Sequence, residues 1–225
     1  MHIARENLCN EYKTLNNILK EKEIMNWTEV SLKKYNDIKE VFLNPEFSEE
    51  DRLILLINIL FNVDALKLKA SELNKYVEQM KFLNTTPPKM KIRSTYVLGQ
   101  NTYILKKDLK DFKVCQWIDF QNFLKNGSDT DNYPNLLSVF FIPEGEKEYG
   151  EYDVEQVRQD INNNLSIADA TSIASFFLTY HKASLIASLL STKRKIMKTP
   201  LERKEKKKIK KEMRKLIWKT IFRGG

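Results

Sequence analysis

This chain predicts a mainly α fold of the α+β kind: a multi-helix domain carrying one small β-hairpin and ending in a long basic C-terminal helix. Three observations carry that expectation. Gly and Pro are sparse, six of each in 225 residues, so segments with helical apolar spacing run on with few breakers. One stretch, STYVLGQNTYILKK, is dominated by Tyr, Val, Ile and Thr around Gly99-Gln100-Asn101, residues that tolerate the backbone of a tight turn. Residues 193–223 hold fifteen Lys or Arg against three Glu around an apolar stripe at helical spacing. The apolar fraction, 42%, and the aromatic fraction, 11%, are those of a folded chain, and the length allows a sizeable core.

Taken in order, residues 1–25 place Ile3, Leu8, Tyr12, Leu15, Ile18 and Leu19 on the narrow stripe of an amphipathic helix. Leu32, Tyr35, Ile38, Val41 and Phe42 give a second helix, stopped by Asn44-Pro45. Ser48 leads the acidic turn Glu49-Glu50-Asp51, a helix start. The RLILLINILFNV that follows is apolar on nearly every side and is expected to be buried. A helix from Ser71 presents Leu73, Tyr76, Val77, Met80 and Leu83, and Thr85-Thr86-Pro87-Pro88 ends it in a stiff connector. After the hairpin, Trp117, Phe120, Phe123 and Leu124 share a helical face closed by Asn126-Gly127. Pro134 opens a helix through NLLSVFFIP that Pro143 ends, and the acidic EGEKEYGEY reads as an exposed loop. Asp153–Gln156 and Ser166–Asp169 read as capping boxes. The second opens a long apolar helix with Ala168, Ala174, Ser175, Ala183, Ser184, Ala187 and Ser188 among its large residues, where another helix can approach closely.

The predicted organisation is an N-terminal helical region, 1–86, a hairpin and helical core region, 87–192, and a basic amphipathic arm, 193–225. Charge divides the same way. The arm carries +12 of a net +8, leaving the rest at −4, an asymmetry that points to an arm meeting something negative. Cys9 and Cys115 lie far apart, with no ligand-spaced neighbours, so neither a disulfide framework nor a zinc site is expected. The apolar run 173–190 carries His181 and Lys182 at its centre, so it is expected to be a core helix, with no membrane insertion.

Chemistry has little to work with. There is no Gly-rich phosphate loop, no G-x-S-x-G, no H-E-x-x-H and no paired Cys motif. With His2 and His181 alone, no catalytic residue, metal ligand or cofactor is expected, and His181 is expected to pack in the helix. Trp117, Phe120 and Phe123 could stack nucleotide bases, but no cation interleaves on their face, so core packing is the expectation. The functional expectation therefore rests on the arm. Lys204, Lys206, Lys207, Lys208, Lys210, Lys211, Arg214 and Lys215 are the candidate partner-binding or nucleic-acid-binding cations. Ile209, Met213, Leu216, Ile217 and Ile221 form the apolar stripe, with Thr199-Pro200 as the helix start.

The succession NWTEVSLKKYNDI, EEDRLILLINILFNV, SELNKYVEQMKFLNTTPP, the tyrosine hairpin, CQWIDFQNF and NLLSVFFIP resembles phage tail-assembly and head–tail ring proteins of crAss-like podoviruses, over about residues 26–192. The resemblance lies in ordered apolar and aromatic segments, and no functional residue transfers with it. It implies a non-enzymatic virion protein, a homo-oligomeric ring component of the head–tail connector or tail. Its expected partners are other copies of itself and neighbouring portal or tail proteins. The arm lies outside the resemblance, and its charge by itself points to non-specific DNA contact. The implied location is the virion's tail or head–tail junction, with the host cytoplasm during assembly. The alternatives are a tail assembly chaperone and a DNA-binding or packaged cargo protein acting through the basic arm.

Overall fold

A computed structural model describes residues 25–127, 129–198 and 202–222, with the side chains of Arg203, Ile221 and Phe222 excepted. The predicted N-terminal helix, Cys9 and Thr199-Pro200 lie outside those residues. The fold is mainly helical, with a small antiparallel sheet. Two compact units divide it: one runs to Val30 and resumes over Asp37–Pro87, and the other holds Ser31–Asn36 and everything from Pro88 onward. The arm groups with the second unit.

Helix α1 (Leu32–Leu43) gives its first five residues to the second unit and the rest to the first. It ends just before Asn44-Pro45, and Ile38 and Val41 are buried while Phe42 is exposed. The other elements of the first unit follow it. Helix α2 (Glu49–Phe61) starts on a full capping box: Asp51 N–H donates to Ser48 Oγ at 3.1 Å, and the Asp51 carboxylate accepts from Ser48 N–H at 3.3 Å. Asn62 ends it at φ 53°, a left-handed conformation that Asn accepts more readily than most residues. Leu56, Ile57 and Leu60 are buried, but Leu53, Ile54, Leu55 and Ile59 are half-buried, so the helix is not enclosed on all sides as its composition suggested. Helix α3 (Ala70–Gln79) begins one residue before the predicted Ser71 and buries little. Of its predicted face, Met80 is buried and Val77 is exposed. Trp27 closes the unit, its indole N–H donating to Thr85 O at 3.0 Å and its ring set edge-on to Phe82 at 5.0 Å.

The second unit is built on strands β1 (Thr95–Leu98), β2 (Asn101–Leu105) and β3 (Phe141–Pro143), in that order and antiparallel. The two residues between β1 and β2 are Gly99 and Gln100, and Gly99 takes φ +63°, as the first position of a type II′ turn requires. Alternation decides the faces: Tyr96, Leu98, Tyr103 and Leu105 point into the core, while Thr95, Val97 and Ile104 point out. The sheet corrects one sequence expectation. Helix α5 (Tyr133–Ser138) stops early, and 141–143 is a third strand rather than the end of a helix through NLLSVFFIP. Leu136, Leu137, Val139, Phe140 and Phe141 have no exposed surface, so this run is buried on all sides. In such a run, apolar periodicity does not distinguish helix from strand.

Helices α4 (Val114–Lys125), α5, α6 (Val154–Asn164) and the first half of α7 (Ile167–Lys198) complete the unit. Gln116 is buried and donates through Nε2 to Val139 O, satisfying a carbonyl at the end of α5. Asp153 caps α6 by accepting from Glu155 N–H and Gln156 N–H. The predicted box is half made, because the Gln156 amide donates onward to Asp160 Oδ1 at 3.0 Å. Ser166 caps α7, accepting from Asp169 N–H at 3.1 Å and donating to its carboxylate. Asp169 also takes the Arg93 guanidinium at 2.9 Å, and that guanidinium lies over the Tyr96 ring at 4.5 Å. The extended residues after Pro88 are tied to α7 again where Met90 N–H donates to Ser172 Oγ at 2.8 Å.

The acidic loop is less exposed than its charge implied. Its glutamates face solvent, but Tyr149 is buried and donates to Asp119 at 2.9 Å, and Tyr152 donates to Phe141 O at 3.1 Å. Burial, and for Tyr149 the neighbouring carboxylate, holds both phenols well above their ordinary range.

Candidate functional site: the helical arm

The arm is a hairpin of two helices, the outer part of α7 and helix α8 (Arg203–Phe222), which packs back along it. Helix α7 leaves the core at His181, the last of its buried residues. Beyond that point its half-buried positions are Lys182, Ile186, Leu189, Lys193 and Ile196, spaced four, three, four and three residues apart. On α8 the matching positions are Lys206, Ile209, Met213, Ile217 and Thr220, with Met213 buried. These are the two helices' mutual faces, the narrow seam of a coiled-coil pair.

This geometry sorts the candidate residues. Ile209, Met213 and Ile217 lie in the seam as predicted, and the Ile221 side chain lies outside the described residues. Leu216 does not belong: it is 51% exposed, because three residues beyond Met213 fall about 60° off the seam's centre. Lys206 also changes sides, sitting half-buried in line with Ile209 rather than with the free cations. The others stay in solvent. Lys207, Lys210, Lys211, Arg214 and Lys215 line one shallow open groove that ends at Trp218, itself 64% exposed, with Lys204 and Lys208 exposed beside it. Sequence reading missed Trp218. Stepping 100° per residue from Lys207 would have found it, since positions 207, 211, 214 and 218 share a stripe. Glu212 answers this charge locally, at 3.4 Å from Lys215 in an exposed pair of little energetic weight.

Helix α7 offers a second surface. Phe176, Tyr180, Ala183, Ala187, Leu190, Arg194 and Met197 follow a strict four–three spacing on a face about 100° round the helix from the seam. Phe176 is 38% exposed, Leu190 39% and Met197 38%. Of the small residues noted in the sequence, Ala168 and Ala174 are buried in the core, while Ala183 and Ala187 sit on this outer face. The run 173–190 is therefore core helix only as far as His181. Among the described residues, α7 is the one helix long and apolar enough to cross a membrane, and most of its apolar stretch lies outside the core.

His181 marks the point where the arm emerges. Its ring lies 5.6 Å from that of Trp117 and 5.3 Å, edge-on, from that of Phe120, and its Nδ1 is buried without a hydrogen-bond partner. Burial pushes the imidazole below its ordinary value of 6.5, so the folded protein holds it neutral. The unfolded chain then binds the proton more readily, and stability present above about pH 6.5 is lost as pH falls through the lowered folded value. The melting temperature of the wild-type chain is accordingly expected to fall relative to that of His181→Phe between pH 7.5 and pH 5. Parallel pH profiles would remove His181 from that role. Trp117 and Phe120 are thus committed to this cluster rather than to a stacking surface.

Among the described residues, no three His, Cys, Asp or Glu side chains converge to hold a metal ion, and Cys115 is an exposed free thiol. Compared with protein-family models, with curated proteins and with solved structures, the chain matches none of them.

Proposed function

We propose that the chain is a non-enzymatic structural protein that assembles with copies of itself through its arm, as a ring component of a phage head–tail connector or tail. The setting rests on the resemblance described above, and the mode of assembly rests on one observation: the outer face of α7 presents a seven-residue apolar repeat to solvent. That face is self-complementary. A second copy laid antiparallel about Ala187 sets Ala183 against Leu190, Phe176 against Met197, and Arg194 against the Tyr180 ring. Ala183 leaves room for Leu190, and the cation meets an aromatic face. Such a contact is isologous, the commonest symmetry of soluble assemblies, and copies paired in this way supply the unit from which a larger closed assembly is built.

Sedimentation of the full chain is expected to give a homo-oligomer, and Ala187→Arg is expected to lower its mass by breaking the α7 pair, a single copy being 26.6 kDa. Ala187 is exposed in the single chain, so the substitution leaves the fold intact and acts on assembly alone. A wild-type chain that stays monomeric at high concentration contradicts the reading. So does one that instead partitions into neutral lipid vesicles, which would assign the α7 face to a membrane.

A further inference from the structure

We propose that the outer face of α8 binds the phosphate backbone of double-stranded nucleic acid without reading its sequence. The proposal rests on the arm reading only in using the same helical hairpin, and it does not require self-association. Lys207, Lys210, Lys211, Arg214 and Lys215 line a single groove. Neighbours three and four apart on a helix stand about 5–6 Å from one another. From Lys207 to Lys215 the helix rises about 12 Å. A duplex carries about one phosphate charge per 1.7 Å of its axis with both strands counted, hence about seven over the same length. Five cations along one helix therefore face a dense run of anions, which suits a linear polyanion better than a compact ligand.

What the rest of α8 does narrows the partner. Its apolar side, Ile209, Met213 and Ile217, is turned to α7, so solvent meets cations and a large aromatic at one end of the groove. A helix that lies on a lipid surface sinks its apolar face into the headgroup boundary, and here that face is already engaged. Trp218 is placed to lie against sugar and base edges at the end of the phosphate track. A contact of that kind adds affinity without releasing counterions.

The two parts of the surface are separable by salt. The full chain is titrated with a short mixed-sequence DNA duplex, followed by fluorescence anisotropy from low to physiological salt. Log affinity against log salt is expected to fall with a slope of about −4.5, the value for five phosphate contacts. Lys207→Gln with Lys211→Gln is expected to make that slope shallower by about 1.8, and Lys210→Gln with Arg214→Gln to do the same independently. Trp218→Ala is expected to weaken binding at every salt concentration and leave the slope unchanged. No binding at the lowest salt, a slope indifferent to both cation pairs, or equal affinity for vesicles containing phosphatidylserine would each overturn the proposal. Sedimentation of the same samples keeps the two readings apart. A wild-type oligomer that ignores DNA sinks this inference and leaves self-assembly standing. A monomer that binds DNA does the reverse.

Discussion

Phe140→Ala is expected to destabilise the second unit by about 3–5 kcal/mol, the largest effect of any single truncation proposed for this chain. Phe140 has no exposed surface and stands between α4 and α7. Its ring stacks on Phe177 of α7, with centroids 3.5 Å apart and planes 11° from parallel. Phe120 of α4 approaches it edge-on at 5.3 Å, and Phe112 lies tilted against it at 5.4 Å. Removing the ring leaves a cavity walled by three aromatic side chains, too stiff to collapse into it, so the cavity cost adds to the lost transfer energy. Urea unfolding of the full chain should show the midpoint of one transition falling while its slope is kept. A loss below about 1 kcal/mol would mean that this cluster is not the centre of the unit.

Asp160→Ala should cost about 3 kcal/mol through a different mechanism, the loss of several hydrogen bonds to one charged acceptor. The Asp160 carboxylate on α6 accepts from Tyr103 Oη at 2.5 Å, from Asn101 Nδ2 at 2.7 Å and from Gln156 Nε2 at 3.0 Å. Two of those donors belong to β2, so one carboxylate fastens the sheet to α6. Burial, and then the carboxylate beside it, holds the Tyr103 phenol far above its ordinary range, so it remains a donor throughout the accessible pH range. Alanine leaves the Tyr103 hydroxyl buried without its partner, whereas Tyr103→Phe removes donor and need together and should cost about 1 kcal/mol. Amide exchange is the sensitive measurement. Asp160→Ala should speed exchange along β1 and β2 well before it affects α1 or α2, and uniform acceleration would contradict a local fastening.

Much of this architecture was legible in the residues because its signals are local. Ser48 with Asp51, Ser166 with Asp169, Asp153, and the Gly99 turn all act within four residues, and each ends or starts the element it should. The misreadings share a physical cause, since they turn on partners distant in sequence. Residues 139–142 become a turn and strand because β2 offers Leu105 and Ile104 as an edge to pair, which a uniformly apolar run cannot announce. Tyr149 reads as loop yet is drawn inward by Asp119, thirty residues earlier. In the arm, composition identified the cations, but separating them by face required the position of α7. With α7 in place, Lys206 and Leu216 change sides, and Trp218 joins Lys207, Lys211 and Arg214. The outer repeat on α7 was visible as a scatter of small residues. That it faces solvent follows only from where the core ends, at His181.

Self-assembly depends above all on the outer face of α7, and a crosslink at the centre of that face tests it. With Cys9 and Cys115 replaced by Ser, Ala187→Cys is expected to oxidise rapidly to a disulfide-linked dimer, since position 187 would sit on the two-fold axis of an antiparallel pair. Lys208→Cys, also exposed but on α8, is expected to remain monomeric under the same oxidation. An Ala187→Cys chain that stays a monomer, or a Lys208→Cys chain that crosslinks just as fast, would contradict self-assembly through this face.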